Sequence, residues 1–119
     1  MIALTEDKRM LGYGVMTPYS NIFCFATTRR GGFSKGDYAS FNCTPYTGDN
    51  AESVRRNQEL LCSSMPQHPK ELVIPFQTHG TKVEVIDEKY LNATSDERTA
   101  MLQGVDALIT KEPGCCICI

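Results

Sequence analysis

The chain has 119 residues, of which 41% are apolar and 22% charged, with a formal net charge of -2. That length holds one domain with a modest core, and the balance is that of a globular protein rather than a disordered one or a coiled coil. Near-neutral charge excludes a polybasic footprint, so no nucleic acid and no membrane surface is expected as a partner.

The N-terminus opens Met1-Ile2-Ala3-Leu4 and turns acidic at Glu6 and Asp7, followed by a short glycine-broken apolar patch from Met10 to Met16. This is not the pattern of a signal peptide, and no run reaches transmembrane length. Residues 21 to 27, Asn-Ile-Phe-Cys-Phe-Ala-Thr, are rich in aromatic and β-branched types and read as a strand. Thr28 to Gly36 then holds three glycines and two arginines, which makes a loop able to bend tightly and expose backbone N–H groups. Asp49 is expected to cap a helix over about 50–64, with Glu52 completing a capping box; Val54, Leu61 and Met65, with Gln58 between them, form its buried stripe. Pro66 ends it, because proline cannot continue a helix.

Leu72 to Phe76 is nearly all apolar and Thr81 to Asp87 alternates at Val83 and Val85, so a buried strand and a half-exposed strand are expected. Between them lies Gln77-Thr78-His79-Gly80. Asp87 to Gln103 is polar and unpatterned and reads as a loop with a short helical turn. Asp106–Thr110 and Cys115–Ile119 supply two more strands around the Pro113-Gly114 turn. The last of these runs on to Ile119 at its most apolar point, so the chain reads as part of a larger parent. Its strand is expected to pair in a sheet and leave an open edge through which another chain could associate. The expected architecture is α/β, one interrupted domain.

Three constellations bear on chemistry. Of the two histidines, His68 sits in an evident turn, whereas His79 lies between two strands with a glycine beside it that permits close approach. Locally, His79 reads either as a site residue or as a histidine bonded to backbone in a tight connection. Arg29-Arg30-Gly31-Gly32 with Ser34 suits a phosphate or carboxylate, or is simply a solvated basic turn; it lacks the Gly-Lys-Ser/Thr ending of a Walker A loop. Six cysteines are present, three of them crowded at 115, 116 and 118. Neighbours on a strand face opposite ways, so core packing as reduced thiols in a cytoplasmic protein is the better account than disulfides or a redox pair.

In order along the chain stand Thr27-Thr28-Arg29-Arg30-Gly31-Gly32-Phe33-Ser34 running on to Phe41-Asn42, then Thr47-Gly48-Asp49, then Gln77-Thr78-His79-Gly80, then Val105-Asp106-Ala107 with Pro113-Gly114. Together these resemble the YfiH-like family, whose members are variously called laccase-domain or polyphenol oxidase proteins and purine nucleoside phosphorylases. The resemblance covers residues 27 to 119 and implies an α/β fold of that type, with this chain as its N-terminal portion. It implies a metal, zinc or alternatively copper, held by His79 together with a cysteine of an Ala-Asp-Cys motif and a second histidine, neither of which stands in this chain. The implied activity is phosphorolysis of purine nucleosides and deamination of adenosine, with a copper-dependent oxidation of phenols as the alternative; the small-molecule partners are a purine nucleoside and phosphate. A zinc with an open position would supply a low-pKa hydroxide for deamination.

By the same resemblance, Arg29 is the candidate for phosphate, Asn42 for a ribose hydroxyl or the base, and Gln77 for the substrate or for support of the His79 loop. These are expected to share one concave site with His79 at its floor. Tyr46 stands where relatives usually carry a histidine, and a phenol does not shuttle protons near neutral pH. With one of three metal ligands, the chain alone is expected to be inactive.

Overall fold

Met10 to Gly12 pairs antiparallel on both sides, with Ile2–Ala3 and with Phe25–Thr27. In the computed structural model, which describes residues 1–119, these three short strands (β1, Ile2–Ala3; β2, Met10–Gly12; β3, Phe25–Thr27) make one sheet in the order β1-β2-β3. The turn joining β1 and β2 is closed by Asp7, whose Oδ1 accepts from the Thr5 hydroxyl at 2.8 Å, the Arg9 N–H at 3.1 Å and Arg9 Nε at 3.0 Å. Met10 is fully buried. The strand expected over 21–27 is confined to its last three residues. Upstream the chain turns instead, with the N–H of Tyr19 donating to Met16 and that of Ile22 to Tyr19.

Helix α1 spans Ala51–Ser63 and buries Val54, Asn57, Leu61 and Cys62. Val54 and Leu61 stand on the expected stripe, but Asn57 rather than Gln58 is its fully buried polar member. The cap is also corrected. Asn50, not Asp49, is the N-cap, accepting from the Ser53 N–H at 3.0 Å. Asp49 is engaged by the loop, and Glu52 is turned toward Arg55 in an exposed pair, so no capping box closes this helix. These elements make up the first of two compact units, Met1–Pro66.

The second unit, Gln67–Ile119, is built on two parallel pairs. Strand β4 (Glu71–Val73) pairs with β7 (Cys115–Ile117), and β5 (Lys82–Ile86) with β6 (Val105–Thr110). Parallel neighbours need a crossover, and helices provide it. The stretch expected to be a loop with a short helical turn holds two helices, α2 (Glu88–Leu91) and α3 (Ser95–Met101). Each starts on a side-chain cap: Asp87 accepts from the Tyr90 N–H, and Thr94 and Glu97 form a full capping box. Val73, Ile86, Tyr90 and Leu102 make the buried cluster, with Leu91, Met101 and Leu108 packed against it. Each such side chain taken from water contributes about 2 kcal/mol. Arg98 ties α3 down, bonding Glu71 at 2.9 Å, the Tyr90 carbonyl at 3.1 Å and the Leu91 carbonyl.

The architecture is therefore α/β, antiparallel in the first unit and parallel in the second. The strand at the end of the chain does pair, with β4, over Cys115–Ile117.

Candidate functional site: two loops and their supports

The Gln77 to Gly80 loop begins where the Phe76 N–H donates to Leu102 at 3.0 Å and Phe76 bridges Gln103. It ends at β5. What holds it is an irregularity in the partner strand. Lys82 lies opposite Val105 but Val83 lies opposite Ala107, so Asp106 is an extra residue in β6, a bulge of the kind that re-aims a side chain. Its carboxylate reaches back across the loop. Oδ1 accepts the N–H groups of Thr78 at 3.1 Å and His79 at 2.7 Å, and Oδ2 accepts that of Gly80 at 2.7 Å. Three consecutive amides converging on one carboxylate are short, charge-assisted bonds. They hold His79 at a φ of 60°, a left-handed conformation uncommon for a residue with a Cβ, with its side chain exposed. Gln77 is exposed beside it, and support of the His79 loop comes from Asp106.

The other loop is the arginine–glycine segment. Its backbone folds against residues 39–41: the N–H groups of Ser40 and Phe41 and the Ser40 hydroxyl all donate to the Arg29 carbonyl, at 2.8, 3.2 and 2.8 Å. Gly32 is obligatory, since a Cβ there would lie 2.1 Å from the Ser40 carbonyl oxygen; Gly31, at a φ of 77°, would strike the Asp7 carboxylate. Asn57 on α1 fixes the next stretch, accepting from the Phe33 N–H at 2.7 Å and donating to Ser34 Oγ at 2.9 Å and the Asn42 carbonyl at 2.8 Å. Arg56 stacks on the Phe33 ring at 3.8 Å.

The result is an open hollow of about 360 Å³ whose walls include Thr28, Arg29, Asp37, Tyr38 and Asn42. Arg29 and Asn42 are thus brought together. Arg29 Nε is pinned to the Ala39 carbonyl at 3.0 Å, leaving its terminal nitrogens for a ligand. Asn42 is differently placed, because its side-chain amide donates to Thr47 at 3.0 Å and Asp49 at 3.1 Å and its oxygen accepts from Thr44. Asp49 is held below its ordinary pKa by the hydrogen bond from Ser34, at 2.5 Å, and by that from Asn42. Burial raises the pKa of the Tyr46 phenol, which keeps it protonated at neutral pH.

No three His, Cys, Asp or Glu side chains converge in a way that could hold a metal. His79 is a single donor. The cysteine contact is between Cys116 and Cys118, 4.0 Å apart, and not across the Cys115–Cys118 spacing. Cys116 is lowered by its bond with Cys118, whereas burial, with Cys62 nearby, pushes the Cys43 thiol up to about 12.

A family model described as a multi-copper polyphenol oxidoreductase laccase matches residues 23–119. The chain belongs to that laccase family. Among curated relatives, a purine nucleoside phosphorylase of Bacteroides thetaiotaomicron is 63% identical over all 119 residues, which cover 44% of that protein. An adenosine deaminase from an unknown prokaryotic organism is 38% identical over 76% of this laccase-family chain and 34% of its own length. A purine nucleoside phosphorylase of Staphylococcus saprophyticus is 31% identical over 91% of the chain and 38% of its own length. The chain therefore spans less than half the length of these relatives. No solved structure matches it.

The support of each loop in this laccase-family chain escapes sequence reading. Asp106 stands in the Val105-Asp106-Ala107 motif, but its reach to the 77–80 loop depends on a bulge that local pattern does not reveal. Asn57 sits on the helix face that pattern reading assigns to apolar residues.

Proposed function

We propose that this chain supplies an anion-binding loop and a histidine-bearing loop, and that the whole domain carries out phosphorolysis of purine nucleosides together with deamination of adenosine. The observation that carries the reading is the 63% identity, across every residue of the chain, to a protein named purine nucleoside phosphorylase. A second relative named adenosine deaminase supports the companion activity. On this reading residues 1–119 are the N-terminal portion of one YfiH-like domain, working in the cytoplasm.

The roles follow from chemistry. Arg29, anchored by Nε, offers a guanidinium edge that matches two phosphate oxygens, while the N–H groups of Arg30, Gly32, Phe33 and Ser34 are spent on Thr28, Ser40, Asn57 and Ser40 and serve to shape the loop. Asp37 on the same hollow favours a hydroxyl donor over a second anion, which suits a sugar next to the phosphate. Asn42, committed to Asp49 and Thr47, shapes that wall rather than reaching freely for substrate. His79 is the metal ligand and Gln77 its exposed neighbour, close enough in sequence to meet the same substrate. One imidazole does not hold a catalytic ion, since such sites use three protein ligands, so the residues of this chain do not by themselves fit zinc or copper. Association with a further chain through the β7 edge belongs to the same reading.

The test is an assay of adenine and inosine formation from adenosine plus phosphate. It compares the 119-residue chain with a chimera in which the chain is completed by the portion of the Bacteroides relative that lies outside the match. The chimera is expected to turn over and to lose activity on His79→Ala; the chain alone is expected to be inactive. Turnover by the metal-free chain would overturn the ligand role of His79. Membership of a polyphenol oxidoreductase laccase family favours one other reading, a copper-dependent polyphenol oxidase. Metal analysis of the chimera and oxidation of a phenol in its presence decide between the two.

A further inference from the structure

Strands β5 and β6 expose an apolar face. Their register puts Val83 beside Ala107 and Val85 beside Ile109, and alternation places all four on one side of the pair. On the opposite side, Ile86 belongs to the buried cluster and Leu108 packs against it. That face is covered. The first is not: Val83, Val85 and Ile109 are 50%, 51% and 57% exposed. Parallel strands occur almost only with both faces covered, and an uncovered two-stranded pair is marginal in water. Three β-branched side chains in one exposed stripe are therefore the signature of a core surface awaiting its other half.

We infer that the Val83, Val85 and Ile109 face is the seat for the polypeptide that makes up the remainder of the relatives' length. The size of that missing partner is set by the match, since the Bacteroides protein is 63% identical over this entire chain and yet the chain covers 44% of it. More than half of that relative must pack somewhere. The stripe offers it an apolar sheet face with no ionisable residue among its four positions, so the occupant presents an apolar helix or loop face in return. The inference rests on family membership and sheet geometry, not on the nucleoside reading.

The test co-expresses the 119-residue chain, tagged, with the portion of the Bacteroides relative outside the match. The two are expected to co-purify, and Val85→Lys in the chain to lower recovery by about tenfold, as burial of a charge against an apolar surface demands. Val15→Lys, at a residue 78% exposed in the other unit, is expected to leave recovery unchanged. Because the added portion alone need not fold, the same substitution is also made in the single-chain chimera. There it should lower Tm by about 5 °C or more, against about 1 °C or less in the 119-residue chain. An unchanged Tm in the chimera, co-purification indifferent to Val85→Lys, or a homodimer of the chain that Val85→Lys dissociates would each overturn the inference. None of these readouts measures turnover, so their failure is distinct from failure of the proposed function.

Discussion

Asp106 and His79 form a pair in which the carboxylate supports and the imidazole is displayed. Removing the support leaves three amide N–H groups without their acceptor, so Asp106→Ala is expected to destabilise the chain by about 2 kcal/mol. Faster hydrogen exchange at residues 78–80 would locate the effect in the loop; exchange unchanged there would refute the clamp. His79 carries the opposite sign. Its left-handed backbone costs a residue with a Cβ about 1 kcal/mol, which glycine does not incur. His79→Gly is therefore expected to raise stability by up to about 1 kcal/mol in chemical denaturation while abolishing turnover in the completed domain. Strain held in place by bonds to three consecutive amides agrees with the role proposed for His79.

At the scale of elements, the capping box of α3 is the clearest local device. Thr94→Ala removes one half of it and should cost about 1 kcal/mol in urea denaturation, with Glu97 left turned to no purpose. The signature Thr94-x-x-Glu97 stands plainly in the sequence, yet the segment reads as a loop because no apolar stripe follows it: Ser95–Met101 buries no residue completely. Helix α1 shows the converse, its stripe legible at Val54 and Leu61 and its cap misplaced by one residue. Asp49 and Asn50 are both good caps, and what chooses between them is a tertiary bond from Ser34 to Asp49 that no local rule contains. The strands divide similarly. The alternation of β5 is readable, but which side faces the core is settled by α2 and α3, so Val83 and Val85 point outward. Strands β1 and β2, two and three residues long, carry too little pattern to be read at all. The two loops are legible as loops; the residues that hold them, Asp106 and Asn57, are not, since each acts on a segment more than twenty residues away in the chain.

Over the whole molecule, both units bury apolar side chains: Met10, Phe41, Val54 and Leu61 belong to the first, and the Val73 and Ile86 cluster to the second. No helix is long and apolar enough to cross a membrane. Asp49 contributes to the acid response, as do Asp7 and Glu52, which are also held below their ordinary values. The pKa of Asp49 in the folded chain lies below the ordinary 3.8, chiefly through Ser34, so the charged form is favoured by folding. That contribution is fully present above the unfolded value, and it is lost as pH falls below 3.8 through the folded value. Asp49→Asn is expected to flatten this part of the stability curve between about pH 4 and pH 2 while leaving its shape at pH 7 unchanged, as thermal melts across that range would record. An equally steep acid loss in the variant would assign the effect to other carboxylates.

The clamp on the 77–80 loop grips main-chain N–H groups only, and it therefore makes no use of the side chain at position 79. Position 79 behaves as an interchangeable fitting on a fixed mount. A saturation library there should return folded protein for glycine, asparagine and most other residues. Proline, having no N–H to offer Asp106 and no access to a positive φ, should be missing from it. The same mount could present thiolate, carboxylate or amide in place of imidazole, which makes the loop a ready location for installing different chemistry.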